Sequence, residues 1–192
     1  VDPAPNYLVI DKMCAIAENK DVQVIMVITK TDMAEYENIR SVYAKAGFKV
    51  FYTGTDDDGQ LEEIRREMQG KLCVFSGNSG VGKSTLLNKL FPHLSLETGI
   101  TSKKLGRGKH TTRRVEIFET DGCMVADTPG FSSVELVDDN FISKDDLQYA
   151  FVEFAPYLGS CKFADCRHIN EIGCAVKGAV DRGEIPQSRY ES

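Results

Sequence analysis

The fold is decided by residues 72–90, which read LCVFSGNSGVGKSTLLNKL. An apolar run over Leu72–Ser76 leads into the pattern G-x-x-x-x-G-K-[ST] at residues 77–84, and a leucine-rich segment follows. Glycines let a backbone wrap closely around a phosphate, and the N–H groups that open the next helix supply positive potential there. The stretch therefore predicts a strand, a phosphate-binding loop and a helix, and argues against an ordinary glycine-rich turn.

Two side chains of this loop have predicted chemical roles. The Lys83 ammonium is expected to reach the β- and γ-phosphates, and the Ser84 hydroxyl to bind magnesium. Lys83 is also a candidate catalytic residue, because its charge stabilises the transferring phosphoryl group. The other predicted phosphate-binding positions are Asn78, Ser79, Gly80, Val81, Gly82 and Thr85.

A second magnesium-side carboxylate is predicted at Asp127, where the short apolar strand Met124–Asp127 ends. It opens the pattern D-x-x-G, which is weak alone but specific at a strand end downstream of a phosphate loop. The Asp127 carboxylate would hold the metal directly or through water. The Gly130 N–H would then sense the γ-phosphate.

A guanine-recognition motif is predicted at Thr29-Lys30-Thr31-Asp32, at the end of the strand Val22–Thr29. The Asp32 carboxylate can accept bonds from both N1–H and the 2-amino group of guanine, which adenine does not offer. Lys30 would cover the base. The alternative is that Asp32 caps the predicted helix Met33–Ala46, but capping leaves Lys30 unexplained.

The order of these motifs is rotated relative to ordinary GTPases, because the base motif precedes the phosphate loop. A circular permutation is feasible, since strands of such a sheet can be reconnected through surface loops. Gly54 and Thr55 follow the predicted strand Lys49–Thr53 and lie between the two motifs. We assign them to a loop that backs the base.

Strands alternate with helices along the chain, which predicts an α/β fold with a mostly parallel sheet. The remaining predicted elements are helices over 6–19, Gly59–Met68, Lys83–Phe91, Asp145–Phe154 and Ala175–Arg182, and a strand over Arg114–Phe118. No apolar run approaches the roughly 20 residues that cross a bilayer. The sequence therefore favours a cytoplasmic protein without a membrane partner.

A metal site is predicted where Cys161, Cys166, His168 and Cys174 form the pattern C-x4-C-x-H-x5-C. Three cysteines and one histidine are a standard structural zinc set, and four protein ligands fill the coordination shell. The alternatives are free surface thiols beside a chance histidine, or disulfides, which the lack of a secretory signal disfavours.

The combination resembles the RsgA (YjeQ) family of circularly permuted GTPases that depend on the small ribosomal subunit. The resemblance rests, in order, on TKTD (29–32), GNSGVGKST (77–85), GRGKHTTRR (106–114), DTPGF (127–131) and the Cys/His pattern. It implies a GTPase domain over 1–137, a small helical zinc-binding domain over 138–192, and GTP or GDP, Mg²⁺ and Zn²⁺ as ligands.

The resemblance also implies a partner, the small ribosomal subunit and its rRNA, which would stimulate hydrolysis late in subunit assembly. An N-terminal OB-fold domain that binds RNA belongs to the family pattern, and we expect this chain to be a fragment without that domain. We also expect the chain to be monomeric.

The segment 101–114 holds six Lys or Arg residues and no acidic residue, in a chain of net charge −6. It occupies the place of the γ-phosphate-sensing loop, where Thr111 or, preferably, Thr112 would close on magnesium and assist catalysis. Its basic residues would contact RNA phosphates; the alternative is a merely solvated face.

Phe131 stands where Ras-like enzymes carry the glutamine that orients the attacking water, so another residue must do this. We assign water positioning to His110, with a surface or RNA-contacting role as the alternative. The predicted reaction is GTP hydrolysis. A nucleotide-gated RNA-binding module and a P-loop ATPase are the competing hypotheses, and Asp32 argues against the ATPase.

Overall fold

The computed structural model describes residues 4–33, 35–55, 60–78, 80–94, 116–127 and 142–192. The helices are α1 (Tyr7–Glu18), α2 (Glu37–Lys45), α3 (Leu61–Met68), α4 (Lys83–Leu90), α5 (Ala175–Asp181) and α6 (Gln187–Tyr190). The strands are β1 (Ile25–Ile28), β2 (Lys49–Tyr52), β3 (Leu72–Val74), β4 (Glu116–Thr120) and β5 (Cys123–Asp127). The predicted α/β class is confirmed. Among the described residues, no helix combines the length and the apolar character needed to span a bilayer.

The chain divides into two compact units. The first contains the described residues of 29–34 and 52–135, and the second those of 4–28, 35–51 and 136–192. Both units are discontinuous in sequence. The predicted division into 1–137 and 138–192 stays a prediction.

The first unit is built on a three-stranded sheet with the order β3-β5-β4. β3 pairs with β5 in parallel, with Val74 opposite Ala126, and β4 pairs with β5 antiparallel. The β4–β5 hairpin closes at Asp121 and Gly122, whose φ angles of 44° and 79° match a two-residue turn. Helices α3 and α4 contact one another in this unit.

The second unit contains α1, α2, α5, α6 and the β1–β2 sheet. One hydrophobic cluster centres on Phe151, Phe154, Val176 and Ile185; Cys166 and Cys174 belong to it. Another packs Cys14 of α1 against Tyr43 of α2 and neighbouring apolar residues. Tertiary packing of these faces supplies most of the stability of such short helices.

A buried charge cluster in this second unit contains Asp11, Glu153 and Arg189. Arg189 forms a bidentate pair with Glu153, at 2.6 Å from Nε to Oε1 and 3.0 Å from Nη2 to Oε2. Its Nη1 donates to Asp11 Oδ1 at 2.8 Å, and the guanidinium lies 4.7 Å from the centroid of the Phe151 ring. The hydroxyl of Tyr43 donates a further bond of 2.9 Å to Asp11. Buried charges of this kind are tolerated only when paired and fully hydrogen-bonded.

The predicted helix Asp145–Phe154 is wrong. The segment instead forms two 3₁₀ turns, Leu147–Tyr149 and Val152–Phe154. Phe151 between them has an extended backbone, with φ −104° and ψ 97°. This interruption lets both Phe151 and Phe154 enter the core, where their rings stack with centroids 5.2 Å apart.

Other boundaries also differ from the predictions. α2 begins at Glu37 and not at Met33, because Met33 closes a turn back to Lys30. β4 extends to Thr120, since the pairing with Cys123 continues up to the hairpin turn. Helix α6 was not predicted, because its buried residue Arg189 is charged and therefore does not contribute to an apolar pattern.

Candidate nucleotide and metal sites

The phosphate loop, residues 77–82, leaves β3 and opens α4 as predicted. Gly80 and Gly82 have φ angles of 80° and 94°, a left-handed region that side chains with a Cβ rarely adopt. The first N–H groups of α4 have no intrahelical acceptor, and the helix carries no acidic residue in its first turn. The local geometry is therefore that of an anion-binding helix start.

Lys83 spans the mouth of this loop. Its Nζ donates to the carbonyl oxygens of Gly77 at 2.5 Å and Asn78 at 2.9 Å. Burial lowers the pKa of the Lys83 ammonium. Phosphate oxygens are stronger acceptors than carbonyl groups because they are ionised, so an incoming phosphate can take over these bonds.

The base motif contacts the phosphate loop directly. The Thr29 hydroxyl donates a 2.5 Å bond to the carbonyl of Val81. Lys30, the next residue, has a left-handed backbone with φ 57°, which is uncommon outside glycine. Base motif and phosphate loop, far apart in sequence, are thereby joined in one site.

Asp32 is exposed and bonded to the predicted base-backing residue Thr55. Its Oδ1 accepts from the Thr55 N–H at 3.1 Å and its Oδ2 from the Thr55 hydroxyl at 2.8 Å. The hydroxyl bond holds the pKa of Asp32 below its usual value. Each carboxylate oxygen keeps a second lone pair, so the group can still accept from a base.

The alternative role of Asp32 as a helix cap is excluded. The N-cap of α2 is Tyr36, and no side chain caps that helix through a hydrogen bond. The loop that Asp32 contacts, residues 53–55 (the base loop), is instead joined to the motif by a backbone bond of 3.3 Å from Thr31 N–H to Thr53 O. A Cβ at Gly54 would lie 3.1 Å from Asp32 Oδ1, so glycine permits this close approach.

The parallel register places the end of β5 beside the start of the phosphate loop, with Val74 opposite Ala126. Carboxyl ends of neighbouring parallel strands are where α/β sheets bind ligands. Several predicted site residues lie outside the described residues, namely Ser79, His110, Thr111, Thr112, Gly130 and Phe131, together with the side chain of Asp127. Their roles stay predictions, and so does the magnesium site.

The four predicted metal ligands are brought together in the second unit. Their ligand atoms all lie within 4.8 Å of one another, and Cys166, His168 and Cys174 are buried. His168 Nδ1 lies 3.6 Å from Cys161 Sγ and 3.4 Å from Cys174 Sγ. All six cysteines are free thiols, so the disulfide alternative finds no support.

These distances fit a tetrahedral zinc site. Zn–S bonds of about 2.3 Å and Zn–N bonds of about 2.0–2.1 Å place nitrogen and sulfur roughly 3.5 Å apart in a tetrahedron. Burial raises the pKa of Cys166 to about 12 and lowers that of His168. A divalent cation would supply the positive charge that stabilises buried thiolates here.

Neighbouring groups orient the ligands. His168 Nε2 lies 2.9 Å from Gln148 Oε1, which leaves Nδ1 to face the sulfurs. The backbone N–H groups of Ala175 and Lys177 donate to Cys161 Sγ at 3.3 Å and Cys174 Sγ at 3.4 Å. Supports of this kind fix ligand orientation in metal sites.

Sequence reasoning missed residues that support these sites without bearing a motif. Gln148 lies 20 residues before His168, and no spacing rule connects the two. Lys89 of α4 donates to the base loop, but a lysine on a polar helix face is a common feature of helices. Only the three-dimensional contacts reveal both.

Comparisons with known proteins identify the family of the chain. The model of the RsgA GTPase family matches residues 1–137. The chain is 41% identical to the small ribosomal subunit biogenesis GTPase RsgA of Alkaliphilus metalliredigens over 99% of its length, and 42% identical to that of Bacillus subtilis over 100%. It spans 65% of the length of each of these two relatives.

Solved structures are similar over the whole chain. YloQ, described as a circularly permuted GTPase, is 34% identical with a TM-score of 0.75, and the match covers 100% of this chain and 61% of that structure. YjeQ from Thermotoga maritima is 32% identical with a TM-score of 0.73, covering 98% and 64%. The fold is thus that of a circularly permuted GTPase, and the chain belongs to the RsgA GTPase family.

Proposed function

We propose that this chain binds guanine nucleotides and hydrolyses GTP to GDP and phosphate, with the small ribosomal subunit as its stimulating partner. The observation that carries the proposal is the joined site, in which Thr29 bonds to Val81 of the phosphate loop and Asp32 is held by Thr55. A phosphate loop alone would fit many nucleotides. The attached carboxylate, placed by Thr55, is the feature that favours guanine.

Base selection follows from hydrogen-bond complementarity. Ionised Asp32 offers only acceptors, and guanine offers two donors, N1–H and the 2-amino group, on one edge. Adenine offers no such pair, so an adenine nucleotide would leave the carboxylate unsatisfied. Hydrogen bonds to an ionised acceptor are stronger than bonds between neutral groups, so this pair of donors would set the preference.

Phosphoryl transfer depends mostly on positioning and charge stabilisation. Lys83 would release the carbonyl groups of Gly77 and Asn78 and bind the β- and γ-phosphates. Ser84, Thr112 and Asp127 would hold magnesium, whose charge would offset that on the phosphates. Thr111 is the alternative to Thr112 at magnesium. The Gly130 N–H would sense the γ-phosphate, and His110 would orient the attacking water.

Intrinsic hydrolysis should be slow, because Phe131 cannot orient water. Unassisted Ras, which has the glutamine, turns over at only about 10⁻³ per second or less. The partner is proposed from the relatives, whose names describe small ribosomal subunit biogenesis GTPases. The basic segment 101–114 would contact rRNA phosphates, and the chain would act late in subunit assembly in the cytoplasm.

Zinc is proposed as the resident metal of Cys161, Cys166, His168 and Cys174. Support comes from the ligand set, the nitrogen–sulfur distances and the Gln148 contact. A site with four protein ligands has no open position for substrate, so the metal would stabilise the fold and take no part in hydrolysis.

The proposal is tested by single-turnover GTP hydrolysis with and without purified small ribosomal subunits. We expect slow hydrolysis alone and a rate increase of at least tenfold with subunits. GTP binding without any acceleration would favour a nucleotide-gated binding module and contradict the proposed stimulation.

Base selection is tested with Asp32→Asn. The introduced amide can donate where the carboxylate only accepts, so the preference should move from GDP toward xanthosine diphosphate. We expect the ratio of the two affinities to change by about 100-fold, the effect of losing roughly two hydrogen bonds to a charged group. Equal use of ATP and GTP by the native chain would overturn the guanine assignment.

A further inference from the structure

The far end of α4 contacts the base loop. Lys89 lies near the C-terminus of this helix, whose N-terminus forms the phosphate site. Its Nζ donates to the carbonyl oxygens of Gly54 at 3.0 Å and Thr55 at 2.9 Å. Both acceptors belong to the loop that holds Asp32, and bonds from an ammonium are stronger than neutral ones.

The backbone of Lys89 is itself fixed from the opposite side. Arg65 of α3 donates from Nη2 to the Lys89 carbonyl at 2.8 Å and from Nε to the Leu90 carbonyl at 2.9 Å. The last carbonyls of a helix lack intrahelical donors, and a cation there also favours the helix dipole. Lys89 therefore projects from an anchored helix end toward the base loop.

A continuous series of hydrogen bonds results. It runs from Arg65 to the end of α4, from Lys89 to the base loop, and from Thr55 to Asp32. The space around Asp32 leaves little freedom, since a Cβ at Gly54 would lie 3.1 Å from its carboxylate oxygen. A small shift of the base loop would therefore displace Thr55 and the carboxylate that it orients.

We propose that Lys89 is a positioning residue that holds the base loop against the phosphate-binding helix and thereby sets the preference for guanine. The inference rests on the proposed function, since it concerns the same nucleotide site. Lys89 touches neither base nor phosphate in this scheme. It acts through Thr55, so its loss should weaken contacts to the base more than contacts to the phosphates.

The test compares the dissociation constants of GDP and inosine diphosphate, measured by calorimetry. Inosine diphosphate has the same phosphates but lacks the 2-amino group, so the ratio of the two constants reports the base contact. In Lys89→Met, which keeps the apolar stem, we expect GDP affinity to fall about tenfold and the GDP preference to shrink at least threefold, as loss of charged bonds predicts.

Two further variants separate positioning from general stability. Lys89→Arg keeps donors for both carbonyls and should restore most of the preference. Lys71 lies just before β3 and is half-exposed, and its Nζ is 4.0 Å from Glu67 Oε2. Lys71→Met should leave the dissociation constants of both nucleotides unchanged.

The outcomes are distinguishable. Unchanged preference in Lys89→Met, or equal weakening of both nucleotides, would overturn this inference while the proposed function stands. Failure of the native chain to bind GDP would overturn the proposed function and this inference together.

Discussion

The nucleotide site and the Cys/His cluster are both built from loops, but their polar groups are satisfied differently. Asp32 is exposed and keeps spare lone pairs after bonding to Thr55. In the Cys/His cluster, three of the four ligands are buried and protein groups orient the ligand atoms. An open carboxylate suits a ligand that exchanges, and a closed set of four suits a metal that stays. In this chain, therefore, the exposed group is the one proposed to exchange its ligand, and the buried set is the one proposed to keep a metal.

The largest effect is expected from removing the metal proposed for the Cys/His cluster. Chelation, or Cys166→Ala, should abolish amide-exchange protection across residues 161–177, because structural zinc contributes about 10–16 kcal/mol to the folding of small peptides. Exchange would be followed by mass spectrometry alongside zinc content. Cys73→Ala, which changes a cysteine of the first unit, should leave this protection intact. Protection that survives complete metal removal would contradict a structural role.

The buried charge cluster provides the next largest effect. Arg189→Met should destabilise the chain by about 3–5 kcal/mol, because it leaves Asp11 and Glu153 buried without a counter-charge. Urea unfolding monitored by circular dichroism measures the loss. Arg182→Met removes an exposed pair with Glu184 and should cost far less, because solvent screens an exposed pair. Equal losses in the two variants would show that burial does not determine the strength of these pairs.

A smaller effect is expected where the base motif meets the phosphate loop. Thr29→Val removes the hydroxyl that bonds to Val81 and should weaken GDP binding about fivefold to tenfold, the value of one hydrogen bond. Thr29→Asn supplies a side-chain donor and should bind close to the native level. Calorimetric titration with GDP distinguishes the variants, and native affinity in Thr29→Val would refute the contribution of this bond.

The smallest effect concerns pH. The hydroxyl bond from Thr55 holds the pKa of Asp32 below its usual value, so the charged form proposed to bind guanine persists as pH falls below neutral. In Thr55→Val this pKa should rise toward the ordinary value of about 3.9. Relative to the native chain, the variant should therefore lose GDP affinity at a higher pH.

The GDP affinity of the native chain and of Thr55→Val is measured from pH 7 to pH 4. Protonation of the GDP phosphates affects both chains equally and therefore cancels in the comparison. Parallel pH profiles would contradict the assigned role of the Thr55 hydroxyl.

The sequence predicted the motifs that follow the strands because these motifs obey local rules. The phosphate loop needs glycines at fixed positions, and Gly80 and Gly82 have the expected left-handed backbone. The Cys/His spacing likewise brings four ligand atoms together as predicted. Such features depend on a few neighbouring residues, so a short stretch of chain is enough to specify them.

Long-range contacts could not be predicted in this way. Arg189 was not assigned to a core because charged residues are rarely buried unpaired, and its partners are distant in sequence. The predicted helix over 145–154 failed for a related reason, since two phenylalanines entering one core override local helical preference. Lys89 and Gln148 were missed because support of a site leaves no spacing signal.

The position of the charge cluster has a consequence for the order of folding. Asp11 and Arg189 are 178 residues apart in sequence, and most of the first unit lies between them. Closing so long a loop has a high entropic cost, which is offset only after non-local contacts form. During synthesis, α1 must wait for nearly the whole of this sequence before its buried carboxylate meets Arg189. The phosphate loop emerges earlier, so the first unit can form first, and closure of the charge cluster is expected to be a late step of folding.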